Sequence, residues 1–200
     1  EIEKVVFALV KPHGGRSLYF KPLDRFYHAI EATAAALRDF TEKQRFLNTV
    51  YERFFQGFSV KVADTHGIVY TPQPVVQFMV NSVDELLRAE FGLADGLSAP
   101  NVHILDPFVG TGNFLAQVMR KLNTPALSAK YARELHCNEV MLLPYYIAAM
   151  NIEHEYYTRT GGYAAFPGLC FVDTFQLADP EQKQFDFMTP ENTARVKRQK

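Results

Sequence analysis

The segment that most constrains the fold is ILDPFVGTGNF, residues 104–114. A short apolar run leads to Asp106, and two glycines at positions 110 and 112 precede a new apolar pattern with helical spacing. Glycines permit backbone conformations and close approaches that a Cβ would block. In open α/β sheets, ligands bind at the carboxyl ends of strands, beside helix N-termini. The segment therefore predicts a strand, a ligand-binding turn and a helix. Its spacing is not the G-x-G-x-x-G of dinucleotide-binding folds.

Short apolar runs alternate with helical stretches from residue 101 onward. We expect strands at 102–105, 135–137 and 169–172, and helices at 114–122 and 142–157. Such alternation is typical of βαβ units and a parallel sheet. The predicted fold class is α/β, in which N-terminal helices are followed by a partial Rossmann-like sheet with its first three strands.

The N-terminal part of the chain has a helical pattern. Apolar residues recur at helical spacing over residues 23–58 and predict two helices joined near residues 39–42. Thr71 is a suitable N-cap for a further helix, and Pro72 suits its first position because a proline lacks the N–H that would be unpaired there. We place a domain boundary between a helical region, 1–66, and the α/β region, 67–200.

Composition excludes several classes of protein. A net charge of −1 argues against a strong nucleic-acid clamp within this chain, and the basic run at 195–200 is interpreted as a solvated tail. No apolar run is long enough to span a membrane, and we expect a cytoplasmic protein. Cys137 and Cys170 are interpreted as reduced core thiols, and the scattered histidines predict no metal site. Because the chain opens on Glu1 and closes in a charged segment, we expect a piece of a longer protein.

Residues 106–114 resemble the first motif of the N-6 adenine DNA methylases, Asp-Pro-x-x-Gly-x-Gly-x-Phe. Upstream, residues 67–72 look like the family's donor-binding segment. Downstream, residues 138–140 resemble its second motif and residues 172–175 its third. The order of the motifs implies the subgroup in which the donor segment comes first, and the approach at residues 46–52 is similar to the methylase region of large single-chain restriction-modification enzymes.

The resemblance implies a site for S-adenosyl-L-methionine. Asp106 would bind the donor's ammonium group by a charge-assisted hydrogen bond, and Thr71 with a helix N-terminus would suit its carboxylate. Glu139 would accept from the ribose hydroxyls. Val140 would cover one face of the adenine, Asp173 would accept from the adenine amine, and Phe108 or Phe175 would form apolar walls. The implied cofactor-binding set is Tyr70, Thr71, Pro72, Asp106, Pro107, Phe108, Gly110, Thr111, Gly112, Asn113, Phe114, Glu139, Val140, Asp173, Thr174 and Phe175.

The family's catalytic loop, an Asn- or Asp-Pro-Pro-aromatic segment, is missing from this sequence, which has no Pro-Pro pair. We therefore name no catalytic residue and expect this chain alone to be inactive. The resemblance implies that double-stranded DNA is bound through regions outside this chain, with nuclease or helicase domains as further possible parts of the protein.

Other interpretations remain open at this point. The same fold and motifs serve RNA or protein-glutamine methyltransferases, and a non-catalytic S-adenosylmethionine-binding module would carry the same residues. Asp106 and Thr71 could simply cap a turn and a helix. Glu139 and Asp173 could be ordinary carboxylates that face water at strand ends.

Overall fold

The structure is a computed structural model that describes residues 24–37, 39, 42, 46, 49–50, 71–176 and 190–199. The chain divides into two units, Glu1–Arg53 and Phe54–Lys200. In the first unit, helix α1 spans Asp24–Ala36, where helical spacing predicts a helix. The predicted second helix lies mostly outside the described residues, and Tyr70 lies wholly outside them. The boundary placed between residues 66 and 67 stays a prediction.

The second unit alternates helices with strands. Its elements are α2 (Gln73–Ala89), β1 (Ile104–Asp106), α3 (Asn113–Lys121), α4 (Thr124–Arg133), β2 (Leu135–Glu139), α5 (Leu142–Thr160), β3 (Leu169–Phe171) and α6 (Pro190–Gln199). Single 3₁₀ turns occupy Gly96–Ser98 and Thr174–Gln176. All three predicted strands and both predicted helices of this region are present, whereas α4 and α6 were not predicted.

The three strands form one parallel sheet in the order β1-β2-β3. Leu105 lies opposite His136, and Cys137 lies opposite Leu169. This arrangement confirms the parallel α/β sheet that the alternation predicts. Because the strands run in the same direction, their carboxyl ends lie at one edge of the sheet. This brings together Asp106, which ends β1, and Glu139, which ends β2, with Asp173 two residues beyond the end of β3.

The sheet carries a different core on each face. On one face, β2 residues such as Cys137 pack in a cluster with Leu115 of α3, Leu127 of α4 and Ile152 of α5. On the other face, Cys170 and Val172 pack against Val196 of α6. Both cysteines are buried thiols that form no disulfide, as expected of core residues.

The start of α2 differs from the prediction. The helix begins at Gln73, and its N-cap is Pro72, which makes no side-chain capping hydrogen bond. The Pro72 carbonyl accepts from the N–H groups of both Val75 and Val76, and Pro74 occupies the first turn, where its missing N–H breaks no helical bond. The capping role predicted for Thr71 is therefore wrong, as is the placing of Pro72 inside the helix.

The basic run at the end of the sequence is not simply a solvated tail. Residues 190–199 form helix α6, in which Val196 is buried. Arg195 is half-buried and donates to the carbonyl of Leu169 on β3 over 3.2 Å. An apolar residue in this polar stretch binds the helix to the sheet, and the tail interpretation is wrong for the described part of the run.

A buried lysine fixes the segment that leads into β1. The side chain of Lys130, on α4, is 2% exposed, and its Nζ lies 2.6 Å from a Glu134 carboxylate oxygen. Nζ also donates to the carbonyls of Ala99 and Val102, at 2.5 and 2.8 Å. A buried ammonium group is tolerated only when it is paired and hydrogen-bonded, and here it has an ion pair with Glu134 and hydrogen bonds to two carbonyls. These bonds hold residues 99–102 against α4.

Replacing Lys130 should destabilise the second unit. In Lys130→Met, Glu134 and two carbonyls lose their donor in a buried place, and we expect a loss of about 3 kcal/mol of unfolding free energy. Denaturant unfolding measures it. The matched control is Lys197→Met, at an exposed position on α6, which should change the unfolding free energy by less than about 0.5 kcal/mol. Equal effects in the two variants would contradict the role of Lys130.

The outer edge of β1 has no partner strand among the described residues. Leu105 on this edge is 53% exposed. Beside it, an apolar groove of about 450 Å³ runs between β1 and α2, lined by residues such as Met79, Val83 and Phe114. An apolar strand with unpaired N–H and C=O groups invites pairing with another chain.

The 200-residue chain should therefore self-associate through this edge. We expect its sedimentation coefficient to rise with concentration, and Leu105→Lys to suppress the rise because a charge on an edge strand opposes pairing. Met150→Lys is the control, since Met150 is equally exposed at 53% but lies on α5. A monomer at every concentration would mean that another element covers the edge.

Candidate ligand-binding site at the carboxyl ends of the strands

Hydrogen bonds join the loops that follow the three strands. The N–H of Val109 donates to the carbonyl of Asn138 over 2.9 Å, and the N–H of Val172 donates to the carbonyl of Glu139 over 2.9 Å. The parallel pairing of the sheet thus continues beyond its last ladder residues. These bonds bring residues 106–114, 139–140 and 173–175 side by side at the carboxyl edge of the sheet.

The glycine turn between β1 and α3 has the conformation that glycine permits. Gly110 and Gly112 have φ values of 54° and 88°, in the left-handed region that side chains disfavour. A Cβ on Gly112 would lie 3.3 Å from the Cα of Ala148, whereas one on Gly110 would meet nothing within 4 Å. Gly112 is therefore needed for close packing against α5 as well, and Gly110 faces open space.

A buried polar side chain of helix α5 is hydrogen-bonded to the glycine turn. Asn151 is 2% exposed, and its Nδ2 donates to the carbonyl of Thr111 over 2.8 Å. This contact was not predicted, although an asparagine within the apolar stretch of α5 is a signal that could have found it. The N-terminus of α3 follows directly, with Gly112 as its N-cap and no side-chain cap, so its first N–H groups can serve a ligand.

Asp106 has one occupied oxygen and one that has no partner. Its Oδ1 accepts from the N–H of Phe108 over 3.1 Å, as the turn-capping interpretation expects. Its Oδ2 is buried and makes no hydrogen bond. Burial raises the pKa of Asp106, against the opposing effect of the Phe108 N–H. A buried carboxylate oxygen without a partner is costly, so a cation or a hydrogen-bond donor is the complementary ligand here.

Glu139 is a buried residue that binds the turn, which rules out the interpretation of a carboxylate facing water. Its Oε2 accepts from the N–H of Gly110 over 3.0 Å, and its Oε1 accepts from the N–H of Met141 over 2.7 Å. Burial raises its pKa, the hydrogen bonds from Met141 and Gly110 oppose the rise, and the charge of Asp106 adds to it. Each oxygen keeps a second acceptor position for a ligand.

Apolar surfaces surround these carboxylates. The rings of Phe108 and Phe175 lie 5.2 Å apart at an angle of 36°, and the two residues are 59% and 84% exposed. Val140 is also exposed. Asp173 accepts from the N–H of Phe175 over 3.0 Å, which fixes the direction of the loop after β3. The site therefore offers flat apolar surfaces beside acidic groups.

The predicted residues fall into three groups. The structure brings together those after β1, β2 and β3, namely Asp106, Pro107, Phe108, Gly110, Thr111, Gly112, Asn113, Phe114, Glu139, Val140, Asp173, Thr174 and Phe175. Thr71 and Pro72 lie at the start of α2, which is tied to α3 by a hydrogen bond between Gln73 and Gln117. Among the described residues, no hydrogen bond joins Thr71 or Pro72 to the site loops. Tyr70 lies outside the described residues. The binding roles of all of them stay predictions.

Comparison with known proteins places this geometry in a family. A family model described as N-6 DNA Methylase matches residues 42–188. A search of curated proteins found no significant match.

Several solved structures are similar to the chain, all from much larger proteins. One is a DrdV–DNA complex studied by cryo-electron microscopy, with 42% identity and a TM-score of 0.79 over 90% of this chain and 17% of that one. Another is the ATP-dependent Type ISP restriction-modification enzyme LlaBIII bound to DNA, with 32% identity and a TM-score of 0.77 over 98% of this chain and 14% of that one.

A third is a nuclease-deletion mutant of the Type ISP restriction-modification enzyme LlaGI with a DNA substrate mimic, with 34% identity and a TM-score of 0.77 over 98% of this chain and 16% of that one. The chain thus spans only 14–17% of the length of these relatives. Because the family model covers most of the sequence, including every described loop of the site, the chain belongs to the N-6 DNA methylase family.

Proposed function

We propose that this chain is the S-adenosyl-L-methionine-binding part of an adenine-specific (N-6) DNA methyltransferase that works within a restriction-modification enzyme. The observation that carries the proposal is the buried, unpaired Oδ2 of Asp106, which lies beside a glycine turn and an uncapped helix N-terminus. The family match supports methyl transfer to DNA. It also favours this function over the alternatives of RNA or protein methylation.

The residues of the site fit the donor molecule. When bound, S-adenosylmethionine supplies the methyl group. Asp106 would accept from its ammonium group through Oδ2, since Oδ1 is already held by Phe108. Glu139 would accept from the ribose hydroxyls through its remaining acceptor positions. The exposed surfaces of Val140, Phe108 and Phe175 would contact the adenine. The first turn of α3, with Thr71, would serve the donor's carboxylate.

DNA binding and catalysis are assigned to other parts of the protein. The three relatives named above were studied with DNA or a DNA mimic, and the chain covers 14–17% of each. We propose that regions outside this chain bind double-stranded DNA and provide the loop that polarises the adenine amine, and that nuclease or helicase domains accompany them.

Within the part of the chain that the structure describes, none of the helices combines the length and the apolar composition that crossing a membrane requires.

Replacing Asp106 by asparagine should weaken the binding of S-adenosylmethionine. Asp106→Asn keeps an acceptor for the Phe108 N–H but removes the charge that faces the ammonium group. Loss of a charge-assisted hydrogen bond costs about 1.5–3 kcal/mol, so titration calorimetry should show Kd rising by about tenfold to a hundredfold. Glu139→Gln should have a similar effect, because glutamine offers one acceptor where two N–H groups now donate.

Asp95→Asn is the matched control, at an exposed position before the 3₁₀ turn, and should bind S-adenosylmethionine with unchanged affinity. Thermal melts of each variant show whether it is folded. Wild-type affinity in both site variants would defeat the assignment of these two carboxylates.

The binding of S-adenosylmethionine should also depend on pH, because it depends on the protonation state of Asp106. Binding to an ammonium group needs the ionised carboxylate, and because burial raises its pKa, protonation begins at a higher pH than for an exposed aspartate. Affinity should be highest above that raised pKa and fall as the pH decreases through it. Calorimetry across this range measures the fall. The free energy of unfolding should depend on pH in the opposite direction. A carboxyl group that binds its proton more tightly in the folded state than in the unfolded state makes the protein more stable as the pH decreases.

A further inference from the structure

One peptide group next to Asp106 is held at both of its polar ends. The carbonyl of Pro107 accepts from the Thr174 hydroxyl over 2.6 Å. The N–H of Phe108, which belongs to the same planar peptide group, donates to Oδ1 of Asp106 over 3.1 Å. Because a peptide group is rigid and planar, turning its carbonyl also turns its N–H. The Thr174 hydroxyl therefore fixes the direction in which the Asp106 carboxyl group is held.

The Thr174 hydroxyl is itself held by Asn138. A threonine hydroxyl has a single hydrogen, and here the Pro107 carbonyl uses it. The Thr174 oxygen can then only accept from Asn138, whose Nδ2 lies 3.1 Å away. This assigns the orientation of the Asn138 amide, with Nδ2 toward Thr174 and Oδ1 away from it. The chain of hydrogen bonds runs from β2 through the loop after β3 to the loop after β1.

Asn138 is an unusual residue for its position. It is fully buried within β2, and its Oδ1 has no hydrogen-bond partner. A buried polar atom without a partner destabilises the folded state, so an apolar residue would serve the sheet better. Strand alternation also puts Asn138 and Glu139 on opposite faces of the sheet, from which they hold the turn at residues 107–110 on two sides.

We infer that Asn138 and Thr174 are positioning residues for Asp106: their hydrogen bonds clamp the Pro107–Phe108 peptide and so aim the free Asp106 oxygen at the ligand. Thr174 then acts through Asp106 and makes no hydroxyl donation to the ligand, in contrast to the direct binding role that its place in the third motif implies. This inference rests on the proposed function, because the ligand that the positioned oxygen meets is taken to be S-adenosylmethionine.

The test measures S-adenosylmethionine binding by calorimetry and thermal melting on the same samples of the full chain. Thr174→Val has the same shape but no hydroxyl, and should raise Kd by about fivefold to twentyfold. Thr174→Ser keeps the hydroxyl and should restore affinity to nearly the wild-type value. Thr158→Val is the matched control, because the Thr158 hydroxyl makes one side-chain hydrogen bond on the exposed part of α5.

Asn138→Leu separates positioning from stability. It removes the unpaired buried oxygen, so the melting temperature should stay the same or rise, while Kd should still increase because Thr174 loses the donor that orients it. Weakened binding without lowered stability in Asn138→Leu, together with rescue by serine at position 174, supports the inference. Weakening that follows a lowered melting temperature and that serine does not rescue would indicate a structural role only, and would overturn it.

Two further outcomes are distinguishable. Unchanged affinity in both Thr174→Val and Asn138→Leu would overturn the positioning role and leave the proposed function in place. A wild-type chain that does not bind S-adenosylmethionine would overturn the proposed function, and the positioning role with it.

Discussion

The turn after β1 is held in place by β2, and the geometry of the whole site depends on that attachment. The carbonyl of Asn138 and the carboxylate of Glu139 accept from two successive N–H groups of the turn, those of Val109 and Gly110. The turn contains two residues with left-handed backbone conformations and would have few internal bonds of its own. Hydrogen bonds from the neighbouring strand replace them and determine where Asp106 and the start of α3 stand.

Two carboxylates, the half-buried Asp106 and the buried Glu139, lie at the same edge of the sheet, where ionisation is unfavourable for folding. Burial raises the pKa of both Asp106 and Glu139, and the charge of Asp106 acts on Glu139 in the same direction. Glu139 is compensated by two backbone donors, whereas Asp106 has one and a free oxygen. Such unsatisfied groups are typical of binding sites, where the ligand completes the hydrogen bonding that folding leaves open.

The second unit also leaves apolar surface open. The outer edge of β1 carries the exposed Leu105, and α2 exposes a stripe that includes Phe78, Val83 and Leu86. These residues recur at helical spacing on a face of α2 other than the one that carries the buried Val76 and Val80. Helix α2 therefore has two apolar faces. Described residues cover only the face that carries Val76 and Val80.

The sequence alone was enough to predict the parallel sheet, its three strands, the helices α3 and α5 and the clustering of Asp106, Glu139 and Asp173. The sheet, its strands and the two helices follow from short-range information, namely the hydrophobic period and the glycine turn. Glu139 and Asp173 were placed beside Asp106 by the resemblance of residues 138–140 and 172–175 to the family's second and third motifs. Helix α4 was missed although the signal was present, because Asn123 caps it and Pro125 lies in its first turn.

Other features were decided only by tertiary structure. Pro72, not Thr71, is the N-cap residue of α2, and its carbonyl accepts from the N–H groups of Val75 and Val76. Arg195 donates to the Leu169 carbonyl on β3. Two hydrogen bonds link Asn138 to Thr174 and Thr174 to Pro107. The first pair is separated by 36 positions in the sequence and the second by 67 positions. The hydrophobic pattern of a short segment cannot predict such contacts, because they form only when the three strands are paired in register. The sequence thus determined which residues gather at the sheet edge. The packed sheet decided which of their oxygens accept from backbone N–H groups and which, like Oδ2 of Asp106, have no hydrogen-bond partner.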